Sequence, residues 1–274
     1  MESSSMGQTE VSNLICDVGA HKGEDSAFYL KLGYRVLAVE ANPWLARTLR
    51  QRFRDEIEAG TYILIDKAIA ASRGENIAFY VNKMTSEWGT TDLNWVKRNE
   101  GLGAGSEQIN VQCVDFAHIL ETYGCPLYLK VDIEGADMLC VNALKGTACR
   151  PKYISFESTK TSWRDLLEEL HTMEALGYTR FKVVNQRKHE SGRFKTRTGG
   201  WMDHSFEQGS TGAFGEDLKG RWLTKNQTIL RYVPIFLVYI TIGDNTLLRK
   251  CLRRIPGVRR VFNLVGWYDT HAMR

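Results

Sequence analysis

An acidic residue opens a glycine turn near the start of the chain, and another acidic residue follows one strand later. The turn is Asp17-Val18-Gly19-Ala20-His21-Lys22-Gly23, and Glu40 ends the next apolar run. Glycines let a backbone turn tightly and approach a ligand, and the helix expected after the turn presents its N-terminal amides. A carboxylate at this distance beyond the turn can accept hydrogen bonds from both ribose hydroxyls of an adenosine. The spacing therefore predicts a site for an adenosyl ligand.

The acid at the head of the turn separates this pattern from the dinucleotide-binding fingerprint. Asp17 occupies the position at which that fingerprint has its first glycine. A carboxylate there would repel a pyrophosphate but would attract the ammonium group of a methionine moiety. The pattern favours S-adenosylmethionine, which contains ribose, adenine and an ammonium group but no phosphate. Two alternatives stay open: a nicotinamide-dependent oxidoreductase, and a non-catalytic scaffold that binds an adenosyl ligand.

A second group of ionisable residues follows a later apolar run. In Lys130-Val131-Asp132-Ile133-Glu134, the three ionisable side chains share one face of a strand at period two. Such a face is costly in a core unless its charges are paired. One interpretation is an internal lysine–carboxylate cluster that supports the sheet. The other places Asp132 at a cleft, facing the methyl donor, and Glu134 near the acceptor.

If such a ligand donates its methyl group to a hydroxyl, the site needs a group that accepts the hydroxyl proton. A histidine has a reference pKa of about 6.5 and a carboxylate of about 4, so either can take the proton as the new bond forms. Asp132, Glu134 and His21 are therefore the predicted catalytic residues. Glu157 ends the neighbouring strand and could join Asp132 around a divalent metal. Two oxygen ligands are a weak basis for a metal site, so we predict none.

Alternating strands and helices are expected to position these residues. Strands with little polar alternation, separated by helical patterns, indicate a parallel sheet covered on both faces. In such a doubly wound α/β sheet, ligands bind at the carboxyl ends of the strands. An antiparallel pair over 76–81 and 109–114 flanks a glycine-rich loop. The main strands are predicted over 14–18, 35–39, 62–65, 126–131, 153–156 and 181–184, with helices over 25–32 and 43–53.

Three motifs in the first two thirds of the chain resemble the FkbM family of class I methyltransferases. They are the turn at 17–23, Val39-Glu40-Ala41-Asn42-Pro43, and Leu129-Lys130-Val131-Asp132-Ile133-Glu134-Gly135-Ala136-Asp137. The resemblance covers roughly residues 11–185. It implies a Rossmann-like, seven-stranded, mostly parallel sheet, S-adenosylmethionine as cofactor, and O-methylation of a sugar, glycan or natural product. The late loop and tail lie outside the matched motifs, and we expect them to form a C-terminal cap over the acceptor.

The resemblance also implies which residues hold the cofactor. It places Asp17, Gly19 and Gly23 around the methionine portion and Glu40 on the ribose, with Asp66 and Ala68 beside the adenine. Asp66 could equally be a turn former. The predicted cofactor-binding residues are thus Asp17, Gly19, Ala20, Gly23, Glu40, Ala41, Asp66 and Ala68.

The late part of the chain is expected to cover the acceptor. Residues 188–220 are too long for a simple connection and form a candidate acceptor lid, and Trp267 to His271 place aromatics beside an acid and a histidine. An ordinary loop and a C-terminal plug are equally compatible with these sequences. The predicted organisation is a disordered N-terminus over 1–10, a methyltransferase domain over 11–245, and a basic and aromatic tail over 246–274.

Composition narrows the class of protein and its partners. The chain has 274 residues, is 43% hydrophobic and carries a formal net charge of +4, which gives no reason to expect a nucleic-acid partner. Six cysteines without a CxxC pair predict neither a disulfide framework nor a zinc site. No charged-then-apolar leader opens the sequence, so we expect a reduced, cytoplasmic protein whose partner is a small-molecule or glycan hydroxyl acceptor.

The apolar run over 229–242 is the longest in the sequence. Its 14 residues are fewer than the roughly 17–25 that span a bilayer. A basic stretch follows it, and apolar segments with adjacent cations can lie on an anionic membrane surface. A buried element with a solvated basic end is the favoured interpretation, and peripheral membrane contact is the alternative. The sequence does not predict an oligomeric state.

Overall fold

A seven-stranded sheet forms the centre of the protein. The computed structural model describes residues 12–84, 88–101, 103–160, 162–186, 191–207, 209–242 and 267–274. Six of the seven strands are parallel, which confirms the predicted α/β, doubly wound, Rossmann-like class. In spatial order the strands are β3 (Tyr62–Ile65), β2 (Arg35–Val39), β1 (Leu14–Val18), β7 (Tyr128–Val131), β8 (Tyr153–Glu157), β12 (Tyr268–Met273) and β9 (Arg180–Asn185).

Helices cover both faces of this sheet because its strands are apolar on both faces. In β1, Leu14, Cys16 and Val18 pack into one cluster, whereas Ile15 packs into the cluster on the opposite face. Helix starts follow local capping, since the Asn42 side chain accepts the Trp44 amide at the start of α2. The helices are α1 (Glu24–Lys31), α2 (Pro43–Arg52), α3 (Arg54–Glu58), α4 (Leu93–Gly101), α5 (Phe116–Tyr123), α6 (Asp137–Ala143), α7 (Trp163–Ala175) and α8 (Lys225–Ile242).

A small second sheet lies beside the main one. It contains β4 (Ala68–Ile69), β6 (Ser106–Val114) and β5 (Asn76–Asn82), and β5 pairs antiparallel with β6 as predicted. Helix α4 occupies part of the stretch that the sequence predicted to be a glycine-rich loop. The glycines follow the helix rather than interrupt it, which is why composition alone obscured it.

The end of the chain is part of the sheet and not a tail outside the domain. Strand β12 lies between β8 and β9 and pairs antiparallel with both. Its register sets Asp269 opposite Glu157, so the expected domain limit at 245 excluded one of the sheet's own strands. The strand was missed because Asp269 and Thr270 find their side-chain hydrogen-bond partners only in residues distant in sequence. The predicted disordered N-terminus at 1–10 and most of the predicted tail, 246–266, lie outside the described residues.

The predicted lid segment is partly a packed hairpin. Strands β10 (Gly192–Lys195) and β11 (Trp201–His204) pair antiparallel. Phe194 and Phe214 are buried in the cluster on the α1 side of the sheet, where Phe214 stacks on Tyr128. Phe194 therefore anchors a largely exposed hairpin to the core, whereas half of the residues over 209–220 are buried.

One disulfide corrects the expectation from cysteine spacing. Cys125 and Cys149 are bonded, with Cα atoms 5.2 Å apart. They precede the adjacent parallel strands β7 and β8, and the fold rather than a short motif brings them together. Such bonds persist mainly in oxidising compartments, so this one gives no support to the expected reduced environment.

Candidate active site

A cleft of about 980 Å³ opens at the carboxyl ends of the central strands. Its floor consists of the loops that follow β1, β2 and β7 and the end of β8, which is where ligands bind in doubly wound folds. Its volume lies at the upper end of the usual range for small-molecule sites. Of the predicted site residues, the lining includes Gly19, Ala20, His21, Glu40, Ala41, Ala68, Asp132 and Glu134.

The turn after β1 needs glycine at position 19. Gly19 has φ +83°, and a Cβ atom there would lie 1.8 Å from the carbonyl oxygen of Asp132. The amides of Gly19 and Ala20 both donate to the Val39 carbonyl, which ties the turn to the end of β2. His21 follows with a φ of 52°, a left-handed conformation that non-glycine residues seldom adopt. The turn is thus held against two other strand ends and presents its backbone to the cleft.

Glu40 organises the loops on either side of it. One carboxylate oxygen accepts the His21 amide and the other accepts the Asn42 amide, each at 2.8 Å. Burial raises the pKa of Glu40 to about 7, and these two hydrogen bonds oppose that rise. Each oxygen keeps a further lone pair, and the residue lines the cleft. The carboxylate could therefore accept ligand hydroxyls from the position that the sequence predicted.

Asp17 lies beneath the cleft rather than in it. Its side chain is fully buried, and its two oxygens are held by the Ser26 hydroxyl at 2.6 Å and by Lys130 Nζ at 3.0 Å. Asp17 is not among the described residues that line the cleft, so its contact with the methionine portion of the cofactor stays a prediction. Its role is to hold Lys130, its direct partner in the β1–β7 register.

Lys130 is the cation at the centre of a buried charge cluster. Its ammonium lies 3.4 Å from Asp25, 3.8 Å from Asp132 and 3.2 Å from the Gly19 carbonyl oxygen. Burial alone would lower the pKa of Lys130, but Asp17, with Asp25 and Asp132, raises it well above its ordinary value. The interpretation as an internal lysine–carboxylate cluster is thus correct for Lys130, whereas Asp132 and Glu134 line the cleft.

Three carboxylates converge at the other end of the cleft. Oxygen atoms of Asp132, Glu134 and Glu157 all lie within 4.8 Å of one another. Burial raises the pKa of Asp132 and raises that of Glu134 well above its usual range, and the charge on Glu157 adds to both shifts. Glu157 is also paired with Lys160 at 2.5 Å. Carboxylates this close can share a proton or a divalent cation.

Asp269 extends this acidic region from β12. It is buried, lines the cleft and accepts a hydrogen bond from the Gln186 side-chain amide at 2.5 Å. Burial raises its pKa well above the ordinary value, and the charges of Asp132 and Glu157 raise it further. The sequence motif at 266–271 indicated an acid near the acceptor, but without the sheet register it could not place Asp269 opposite Glu157.

Asp25 is a functional residue that the sequence analysis missed. It is buried in the first turn of α1, and its carboxylate accepts the amides of Thr211 at 2.8 Å and Gly212 at 3.2 Å. Gly209, Ser210 and Thr211 line the cleft. Asp25 therefore fastens part of the predicted lid to the helix that begins beside the cofactor turn. An acid in the first turn of a helix was the only available signal.

Gly23 and Asp66 are not among the described residues that line the cleft, and their contacts with the cofactor stay predictions. A Cβ at Gly23 would lie 2.4 Å from the Phe53 ring, so this glycine serves the packing of α1 on α2. Asp66 is half exposed and pairs with Arg50 at 2.5 Å on the surface. The three residues that follow it, Lys67, Ala68 and Ile69, line the cleft instead. Apolar side chains from three other segments join them there: Leu45, Phe79 and Trp88.

One protein-family model matches this chain. The model of the methyltransferase FkbM domain matches residues 17–180, more than half of the chain. No curated protein matches the sequence. The sections of the chain that match the family model contain the cofactor turn, Glu40 and the acids that follow β7.

Three solved structures are distantly similar to this chain. An S-adenosylmethionine-dependent methyltransferase from Archaeoglobus fulgidus is 7% identical, with 96% of this chain and 86% of that chain covered and a TM-score of 0.39. The precorrin-6y C5,15-methyltransferase from Geobacter metallireducens is 13% identical, with 72% and 78% covered and a TM-score of 0.36. A methyltransferase from Thiobacillus denitrificans, in complex with S-adenosylhomocysteine, is 10% identical, with 96% and 86% covered and a TM-score of 0.34.

Proposed function

This chain belongs to the FkbM methyltransferase family, and on that premise we propose that it transfers a methyl group from S-adenosylmethionine to a hydroxyl oxygen of a sugar, glycan or natural product. One observation supports this most strongly. A single cleft is lined at one end by the Gly19 turn with Glu40, and at the other end by Asp132, Glu134 and Glu157. The first group suits an adenosyl ligand and the second suits a hydroxyl that must lose its proton.

The residues present suit the cofactor. The Glu40 oxygens are fixed by two backbone amides and have lone pairs left for ribose hydroxyls. A side chain at position 19 would collide with the Asp132 backbone, so the glycine lets the turn pack closely against the loop after β7 at the floor of the cleft. Leu45, Ile69 and Phe79 offer an apolar surface to the adenine. When bound, S-adenosylmethionine supplies an activated methyl group on a sulfonium.

The acids supply the other half of the reaction. The Asp132 side chain is 39% exposed and faces the cleft, so we assign it to accept the hydroxyl proton. Its raised pKa makes it a better proton acceptor than an ordinary aspartate. Glu134 is assigned to bind and orient the acceptor hydroxyl, a task in which position matters more than charge. His21 remains the second candidate for the proton, since it lines the cleft beside Glu24.

The same lining disfavours the oxidoreductase alternative. Lys130, the cation at the centre of the described charge cluster, is already surrounded by three carboxylates. A pyrophosphate placed beside the turn would meet acids and no free cation from this cluster. Membership of a methyltransferase family agrees with this electrostatic argument.

Turnover separates the catalytic proposal from a scaffold that only binds the cofactor. The assay follows S-adenosylhomocysteine release with a panel of hydroxylated acceptors and detects, by mass spectrometry, products that gain one methylene unit. Asp132→Asn should retain S-adenosylmethionine affinity and lose about 10²–10⁴-fold in turnover, the range for a missing general base. Asp203→Asn, an exposed acid on β11, is the matched control. Normal turnover in Asp132→Asn would remove Asp132 from the mechanism.

A further inference from the structure

The outward face of α8 is an apolar stripe. Leu230, Val233, Leu237 and Ile240 are 69%, 37%, 59% and 68% exposed. Their spacing of three, four and three residues puts them on one side of the helix. An exposed, contiguous row of large apolar side chains marks an interaction surface more often than isolated ones do.

The fold itself uses only the opposite face of this helix. Tyr232 is fully buried, and its hydroxyl lies 2.7 Å from Thr270 Oγ1 in β12. Phe236 is buried on the same side and meets the Trp163 ring edge-on. These contacts attach α8 to the sheet and to α7. Within the described residues, the outward stripe takes no part in that attachment and stays exposed, so the packing of the described core does not explain its apolar character.

A second copy of the chain is a poor occupant for this stripe. The ten residue steps from Leu230 to Ile240 span about 15 Å at 1.5 Å per residue, and a helix is about 10 Å wide. That strip is several times smaller than the roughly 800 Å² per partner that stable protein interfaces bury. A membrane surface has no such minimum, because each inserted side chain adds to binding independently.

Charge favours a membrane with anionic lipids. Helix α8 has no aspartate or glutamate, and its charged residues are Lys225 and Arg231. The sequence that follows, 243–266, lies outside the described residues. It contains six cations and a single acid, Asp244. Apolar side chains with cations nearby are the combination that binds anionic membrane surfaces.

We propose that the stripe of Leu230, Val233, Leu237 and Ile240 docks the enzyme on the surface of a membrane that contains anionic lipids. The helix lies in the plane of the interface with these side chains inserted among the headgroups. It does not cross the bilayer, since none of the helices within the described residues is long and apolar enough to do so. The structure thereby favours the membrane contact that the sequence alone ranked second.

Vesicle co-sedimentation with the full chain tests this proposal. The vesicles consist of phosphatidylcholine alone or of phosphatidylcholine with phosphatidylglycerol. The wild type should bind the mixed vesicles, and added salt should weaken this binding. The double variant Leu237→Gln/Ile240→Gln should bind them about tenfold or more weakly, because two inserted side chains become polar. The matched control is Leu93→Gln, which changes an apolar residue of similar exposure, 55%, on α4.

The substituted side chains are exposed, so both variants should keep the thermal midpoint of the wild type. Loss of vesicle binding in the double variant, with Leu93→Gln unchanged, supports the proposal. The absence of wild-type binding to either vesicle overturns it, as does wild-type affinity in the double variant. A concentration-dependent dimer that only the double variant abolishes also overturns it, because the stripe would then be covered by a second copy.

Discussion

The contact between Asp25 and the 209–212 loop predicts a measurable effect on cofactor affinity. In Asp25→Asn the side chain keeps one acceptor oxygen, so only one of the Thr211 and Gly212 amides retains its partner and the other faces an NH₂ group. A hydrogen bond to a charged group contributes about 1.5–3 kcal/mol. At 1.4 kcal/mol per factor of ten, the hydrogen-bonded conformation of the 209–212 loop becomes roughly 10- to 150-fold less favoured. S-adenosylmethionine affinity should fall by up to that factor.

The overall stability of this variant should change much less. Burial raises the pKa of Asp25 to about 6, although Lys130 and the two amides oppose that rise. A raised carboxyl pKa means that the ionised form is disfavoured in the folded protein, and this cost grows as the pH rises through the folded pKa. Replacing the carboxylate with a neutral amide removes that cost at pH 7.5 and offsets part of the lost hydrogen bond. Asp25→Asn should therefore lose S-adenosylmethionine affinity without a comparable loss in the free energy of unfolding.

Calorimetry with S-adenosylmethionine and amide hydrogen exchange over 209–212 provide the two measurements. Asp25→Asn should bind more weakly and exchange faster in this loop, while its unfolding midpoint stays close to that of the wild type. Asp203→Asn, on the neighbouring β11 but exposed, controls for the loss of one negative charge. Unchanged affinity and unchanged exchange in Asp25→Asn would refute the positioning role. A lower midpoint without an affinity change would make Asp25 a purely structural residue.

Three further predictions concern other buried groups. Glu40→Ala should weaken S-adenosylmethionine binding by about 1–3 kcal/mol in calorimetry and also lower the free energy of unfolding, since two backbone amides lose their acceptor; unaltered affinity would contradict the ribose assignment. Burial lowers the pKa of His271 to about 3, so the unfolded chain takes up its proton first as the pH falls below about 6.5. Between pH 8 and pH 5, urea unfolding should change in the wild type by about 2 kcal/mol less favourably than in His271→Gln, because the buried carboxyls affect both proteins equally and only the wild type carries this histidine. Reduction of Cys125–Cys149, a sequence separation of 24, should cost about 3–4 kcal/mol, and Cys125→Ser should be insensitive to dithiothreitol.

Local sequence was sufficient for the parts of the fold that short-range physics decides. The strands at 14–18, 35–39 and 62–65 were predicted with their observed bounds because each is a short apolar run between turn residues. Glu40 was predicted at the ribose because its distance from the glycine turn is set by the lengths of α1 and β2. The acids after β7 were predicted at a cleft because parallel strands end at the same edge of a sheet.

Long-range pairing accounts for what the sequence did not indicate. Asp17 is separated by 113 positions from Lys130, the partner that draws it beneath the turn. Asp25 is separated by 186 positions from Thr211. Patterns of apolar and polar residues within ten or twenty positions carry no information about contacts at such separations. Asp66 has a partner close in sequence instead. Arg50 on α2 pairs with it at the surface, and the residues that follow Asp66 line the cleft.

The position of β12 has a consequence for how the domain is made. This strand is the last of the described strands in sequence, yet it joins β9 to the rest of the sheet. During synthesis, β9 would leave the ribosome long before the strand that attaches it, so the sheet can close only after Tyr268–Met273 have emerged. A truncation that removes Tyr268–Met273 would then detach β9 and take Asp269 from the acceptor end of the cleft. Intact C-terminal residues should therefore be a requirement for both folding and methyl transfer.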